Sequence, residues 1–251
     1  MIQYKNVYDK IDTLNIWVIM RTDKYVTEVK RLNPDKQVYW VPDLAPSQDL
    51  FFKFLDVKKS GQWNEAHFNG WYKKQFMQEM KSTKAIKALS KLYEFKNSKY
   101  NVTVVCSCKD ENMCHRSLIR EIMDTPIQEE FTCLVAGSRD IYNYTEIYEK
   151  LNYMLFNYRG NVEIVAGGAR GVDKSAERYA EEHGYKLTVF NAEWDKYGKR
   201  AGYLRNVEMH KYIATKKNRG CICFWDGQSK GTAQNFDIAK EYNNPLVVVK
   251  M

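Results

Sequence analysis

Residues 163–184 read EIVAGGARGVDKSAERYAEEHG. An apolar strand runs into a Gly-Gly-Ala-Arg-Gly turn and straight on into a helix. A turn so rich in glycine lets backbone approach a neighbour closely, and the arginine at its centre points to a negatively charged one. The rest of the chain has to show whether that neighbour is a ligand or only a tight corner.

Reading outward, the same alternation of strand and helix holds from residue 131 to the end. FTCLVAGSR is a buried strand, 141–157 a helix, VEIVAGG a strand, 172–183 a helix and KLTVFNA a strand. A polar loop follows, then a helix over about 204–215, the strand CICFWDG, a helix over about 232–242 and the strand PLVVV. Five strands with near-continuous apolar runs predict a parallel sheet covered on both faces, an α/β doubly wound domain. Ligands of such sheets bind at the carboxyl ends of the strands.

The polar residues gather at those ends. The first strand stops at Gly137, Ser138 and Arg139, the second at Gly167, Gly168, Ala169, Arg170 and Gly171, and the fourth at Asp226, Gly227, Gln228, Ser229, Lys230, Gly231 and Thr232. Each turn sets backbone N–H groups at a helix start, where partial positive charge favours phosphate or carboxylate, and each adds a cation. The third strand leads to AEWDKYGKRAGYLRN (192–206), which brings Trp194, Tyr197, Arg200, Arg205 and Asn206 near the same edge. Phosphate-binding backbone beside an aromatic that can stack a base is the layout of a nucleotide pocket. Two plainer readings stay open: the glycines serve only tight turns, and Asp173 is a helix cap.

VAGSRD, VAGGARGVDKSAERYAEEHG, AEWDKYGKRAGYLRNVEM and FWDGQSKGTAQNFDIAKEY together resemble the YspA (cpYpsA-related) branch of the SLOG superfamily. This Rossmann-like group includes the Lonely Guy phosphoribohydrolases and the DNA-processing protein DprA. The resemblance covers nearly all of 131–251 and implies a pocket for a nucleotide-derived ligand at the three turns, and self-association into a homo-oligomer. It also contains a departure. Lonely Guy enzymes carry Gly-Gly-x-Gly-Thr-x-x-Glu, whose glutamate takes part in cleaving an N-glycosidic bond; here GQSKGTAQN sets Asn235 at that position. An amide cannot serve as that carboxylate, although Glu193, Asp195 or Asp226 could substitute for it.

Residues 1–124 are more helical. IWVIMR and VTVVCSC are strand candidates, VYWVPDLAPS is a strand entering a Pro-punctuated loop, and 47–59, 64–80 and 84–96 have helical spacing. A further helix is expected from Cys114 to Met123. The aperiodic stretch DTPIQEE (124–130) marks the boundary, giving an N-terminal α/β domain over 1–128 and the nucleotide-ligand-binding domain over 129–251.

In VVCSCKDENMCHRSLIREIM (104–123) a strand ends at Cys106 and Cys108, and the next helix opens at Cys114, His115 and Arg116. A thiol at a helix start beside His and Arg has the surroundings that lower a thiol pKa, and the same N–H groups can hold an anion. Buried packing is the alternative. We expect no metal, because adjacent Cys114 and His115 would diverge on a helix and the paired CxxC spacing of structural zinc sites is missing. No resident cofactor is expected in either domain. The stretch, with WVPDLAPS upstream, resembles the domain-of-unknown-function 488 family over roughly 14–124, whose members carry Cys-His-Arg after a strand. It implies an α/β fold and singles out Pro42, Asp43, Cys106, Cys114, His115 and Arg116 as a second site.

Composition limits the alternatives. The net charge of +8 divides into 21 basic against 17 acidic residues over 1–130 and 18 against 14 over 131–251, so neither half is a basic module. A nucleic-acid partner remains open and is not favoured. No long apolar run or signal-peptide pattern is present, which argues against a membrane and for the cytoplasm, and the six cysteines read as reduced thiols, with Cys133, Cys221 and Cys223 in apolar strands. The sequence therefore leads to the expectation of a protein that senses or sequesters a nucleotide-derived molecule, such as an ADP-ribose derivative or a cyclic nucleotide. The alternative is a hydrolase or transferase acting on nucleotide N-glycosidic bonds.

Overall fold

A computed structural model describes every residue except Gln128, and Asn97 by its backbone alone. The chain divides into two units, Met1–Thr125 and Pro126–Met251. The boundary expected at 128/129 falls on Gln128, outside the described residues.

The first unit runs β1 (Ile2–Asn6), β2 (Asn15–Val18), α1 (Lys24–Leu32), β3 (Gln37–Trp40), α2 (Gln48–Lys59), α3 (Glu65–His67), α4 (Lys73–Glu79), α5 (Thr83–Asn97), β4 (Val102–Cys106) and α6 (His115–Asp124). Its sheet has the order β1-β4-β2-β3 and every pairing is parallel. The inner strands β2 and β4 are buried along their whole length, as apolar runs NIWV and VTVVC require. Edge strand β1, IQYKN, is half-buried at each position and was not among the expected strands. The helix expected over 64–80 is interrupted by a wide π turn at Phe68–Tyr72, between α3 and α4.

The second unit runs β5 (Phe131–Gly137), α7 (Tyr144–Leu155), β6 (Val162–Ala166), α8 (Val172–His183), β7 (Lys186–Val189), α9 (Trp194–Tyr197), α10 (Ala201–Ala214), β8 (Arg219–Trp225), α11 (Lys230–Glu241) and β9 (Leu246–Lys250). All pairings are again parallel, in the order β7-β6-β5-β8-β9. Alternate residues of each inner strand feed two cores. Cys133, Val135, Ile164, Ile222 and Phe224 pack with α7 and α8, while Leu134, Ala136, Val165, Cys221 and Cys223 pack with Met209 and Ile213 of α10. Each large apolar side chain buried this way contributes about 1.5–3 kcal/mol, so the doubly wound form follows from the unbroken apolar strands. Glu163, fully buried in β6, is the exception. Burial pushes its carboxyl up, but hydrogen bonds from Tyr212, Thr188 and Thr132 and the Lys186 ammonium outweigh that and hold it at about 2.

From β5 the chain builds outward to β6 and β7, then returns to place β8 on the other side of β5. The strand order therefore reverses between β5 and β8, and a crevice opens at their carboxyl ends.

Candidate functional site

That crevice is a cleft of about 560 Å³. Of the residues singled out in sequence, its lining includes Gly137, Arg139, Arg170, Asp173, Trp194, Arg205, Asn206, Asp226, Ser229, Gly231 and Thr232. Gly167 and Gly168 line an adjoining hollow of about 500 Å³ that shares Arg139, Arg170, Trp194 and Arg205. Ser138, Gly171 and Gly227 line neither. Tyr197 and Arg200, expected near the edge, are likewise outside both linings; Lys199 and Tyr203, which the sequence did not single out, take their place.

Backbone contact explains the glycines closest to the sheet. A Cβ at Gly137 would lie 2.6 Å from the carbonyl oxygen of Phe224, and one at Gly171 2.5 Å from that of Arg139. Gly171 also has φ +75°, a conformation that L residues rarely adopt. The ends of β5 and β8 and the start of α8 thus interlock through main chain. Ser138 joins them, accepting the Asp226 N–H at 3.4 Å. Because Gly171 is the N-cap of α8, no side chain caps that helix, whereas α11 is capped by Ser229, whose Oγ accepts the Thr232 N–H at 3.3 Å.

The cations differ in what they are free to do. Arg205 was expected to serve a ligand, yet its side chain is 11% exposed and its donors go mainly to protein: Nη1 to the Gly167 carbonyl at 2.6 Å, and Nη2 and Nε to Asn206 Oδ1 at 2.9 and 3.3 Å. It also lies 3.7 Å from Asp173. Arg205 therefore braces the β6 turn. Arg170 is exposed and pairs with exposed Asp140 at 3.0 Å, an interaction that water and salt weaken. Arg139 lies over the Trp194 ring, 5.6 Å from its centre, and Trp194 remains 49% exposed.

Asp173 is almost fully buried. Its Oδ2 accepts the Ala169 N–H at 3.2 Å, so it fastens the preceding loop and is not the N-cap. Burial pushes its carboxyl up to about 6, with the Arg205 charge pulling the other way. Among the carboxylates weighed as replacements for a glutamate, Glu193 and Asp195 are exposed and line neither cleft. Asp226 accepts the Gln228 and Ser229 N–H groups at 2.9 and 2.8 Å, which holds its carboxyl below the usual range and commits it to the turn. Asn235 is buried and fixed at both ends: Nδ2 donates to the Gly231 carbonyl at 3.2 Å and Oδ1 accepts from His210 Nε2 at 3.2 Å. His210 Nδ1 in turn faces Asn244 Nδ2 at 3.2 Å. This chain needs a group that donates at one end and accepts at the other, which an amide does and a carboxylate does not.

In the first unit the divergence expected of Cys114 and His115 does not occur. Cys114 is the N-cap of α6 with extended backbone (φ −133°, ψ 146°), so only His115 lies on the helix. Their side chains meet those of Cys106 and Cys108, all four ligand atoms falling within 4.8 Å of one another. Hydrogen bonds among the thiols set Cys108 well below the ordinary thiol range and push Cys106 up to about 12 and Cys114 higher. Arg116 is buried beside them. Asp43, by contrast, is exposed and lines a separate groove with Trp17, Tyr39 and Trp40, and Pro42 begins a short 3-10 turn there.

Two parallel α/β units, one with a thiol cluster and one with a polar crevice at its switch point, define the class. The family model described as the active DUF488-N3 subclade matches residues 1–126, and that of the YspA, cpYpsA-related SLOG family matches residues 132–197. The chain belongs to the active DUF488-N3 subclade through its N-terminal half, and residues 132–197 of its C-terminal half are similar to the SLOG family. The Gene 61 protein of Mycobacterium phage D29 is 33% identical over 119 residues, which are 45% of this chain and 92% of the phage protein. No solved structure matches. Among the described residues no helix is long and apolar enough to cross a membrane.

Proposed function

We propose that the C-terminal unit binds a nucleotide-derived ligand, such as an ADP-ribose derivative or a cyclic nucleotide, in the crevice between β5 and β8, as a sensor or sequestering protein. One observation carries the reading: the uncapped start of α8 and the start of α11 border the same cleft as Arg139, Arg170 and half-exposed Trp194. Helix starts and guanidinium groups favour phosphate, and an indole offers a surface to a base. The SLOG match supports a nucleotide-related ligand.

Asp173 favours a second reading, N-glycosidic hydrolysis or transfer. Its carboxyl borders the cleft and titrates near 6, where a general acid or base works. Against it stand the loop N–H and the Arg205 guanidinium that already occupy the carboxylate. Calorimetry with nucleoside monophosphates, NAD, ADP-ribose and cyclic nucleotides, followed by chromatography of each mixture, separates the two. Binding without free base is expected, and Arg139→Ala should weaken it by about 1.5–3 kcal/mol, the range of a hydrogen bond to a charged group. Base release that Asp173→Asn abolishes would establish the hydrolase instead; no binding by any member of the panel would refute both.

A further inference from the structure

The thiol cluster of the first unit lies where two strands end. Cys106 closes β4, Cys108 follows it, and Cys114 and His115 form the entry to α6. The Cys106 and Cys114 sulfurs are 3.1 Å apart, too far for a disulfide bond of about 2.05 Å, and the Cys114 sulfur is 3.9 Å from His115 Nδ1. One ion held by three thiolates at about 2.3 Å and an imidazole at about 2.0 Å has ligand-to-ligand edges of about 3.5–3.8 Å, within less than about 1 Å of these separations.

The histidine is already set for such an ion. Its Nε2 lies 2.7 Å from the Ile19 carbonyl oxygen, just beyond β2. A carbonyl can only accept, so the proton resides on Nε2 and the lone pair of Nδ1 is turned to the sulfurs. Metal-binding histidines are commonly oriented by a carbonyl in this way. Charge supplies an independent observation. Arg116 is 2% exposed, and its Nε and Nη1 have no hydrogen-bond partner among the described residues. A buried guanidinium without an anion is costly. Three thiolates and a neutral imidazole around a divalent ion carry a net charge of −1, which Arg116 balances, and metal-bound sulfur accepts N–H groups.

We propose that Cys106, Cys108, Cys114 and His115 bind one zinc ion in a closed Cys3His tetrahedron that ties the end of β4 to α6, with the chain just beyond β2 held to it through the Ile19 carbonyl on His115. Three sulfurs and one nitrogen select zinc among the common divalent ions, and four protein ligands leave no position for substrate, so the ion is structural. Binding releases the thiol protons to solvent.

The full chain purified under reducing conditions without chelator should contain about one zinc per molecule by elemental analysis. Cys108→Ser, the substitution least disruptive to packing because Cys108 is the least buried of the four, and His115→Ala should each lower this below about a tenth. Should either variant fail to fold by circular dichroism, cobalt(II) added to metal-free wild type decides: the thiolate-to-cobalt charge-transfer and intense visible bands of a tetrahedral sulfur site are expected. Folded, reduced wild type that holds no zinc and develops no such bands would overturn the proposal. Full zinc retention in both folded variants would overturn it equally, because the ligands would then lie elsewhere.

Discussion

Asp173 and His210 are buried titratable groups of one unit, and burial moves them in opposite directions, Asp173 up to about 6 and His210 down to about 4. The folded chain holds the Asp173 proton more tightly than the unfolded chain, whose carboxyl titrates near ~3.9. Its stabilising contribution is complete below that pH and is lost as pH rises towards 6. For His210 the folded chain resists protonation, so the contribution is complete above the unfolded imidazole value of ~6.5 and is lost as pH falls towards 4. The displacements, roughly 2 pKa units for Asp173 and roughly 2.5 for His210, each correspond to about 3 kcal/mol, and between pH 4 and 6 the two slopes oppose. Asp173→Asn should expose the histidine slope: across that interval the variant gains about 2–3 kcal/mol relative to wild type as pH rises, read by urea unfolding at stepped pH. Parallel profiles for variant and wild type would refute the raised carboxyl.

At the level of elements, the starts of α8 and α11 look alike in sequence and differ in what their glycines do. Gly171→Ala puts a Cβ against the Arg139 carbonyl at positive φ and should destabilise the unit by more than about 1–2 kcal/mol. Gly231 has open space around it and lies within the first turn of α11, so Gly231→Ala should leave stability unchanged or raise it by up to about 1 kcal/mol while narrowing the cleft. Thermal unfolding of both variants, with calorimetry on Gly231→Ala, checks this; equal destabilisation would mean the two turns are equivalent. The parallel sheet was legible because strands buried on both faces leave continuous apolar runs such as FTCLVAG and CICFW. Edge strand β1 was not, since IQYKN alternates with polar residues and is half-buried by its position beside β4. The π turn at Phe68–Tyr72 carries helix-like aromatic spacing and so read as uninterrupted helix. Sequence placed Arg139, Arg170 and Arg205 at the sheet edge but also Arg200, which lies outside both linings, and it did not show that Arg205 would turn to the Gly167 carbonyl. Nor could it show that Cys114 stands one residue before the helix, where extended backbone lets its sulfur converge with the histidine.

At the level of the whole molecule, every strand pairing closes within its own unit, and so does each of the hydrophobic cores formed around β2 and β4 and around β5, β6 and β8. The units divide between Thr125 and Pro126. A segment that closes its own sheet and its own cores has what independent folding requires. Residues 126–251 produced alone should therefore unfold cooperatively in urea, with a free energy of unfolding within about 0.5 kcal/mol of that of the same unit in the full chain. Residues 1–125 should carry all of the zinc. Aggregation of 126–251, or a loss of several kcal/mol on excision, would show that the first unit contributes to the fold of the second, and the crevice between β5 and β8 would then form only in the intact chain.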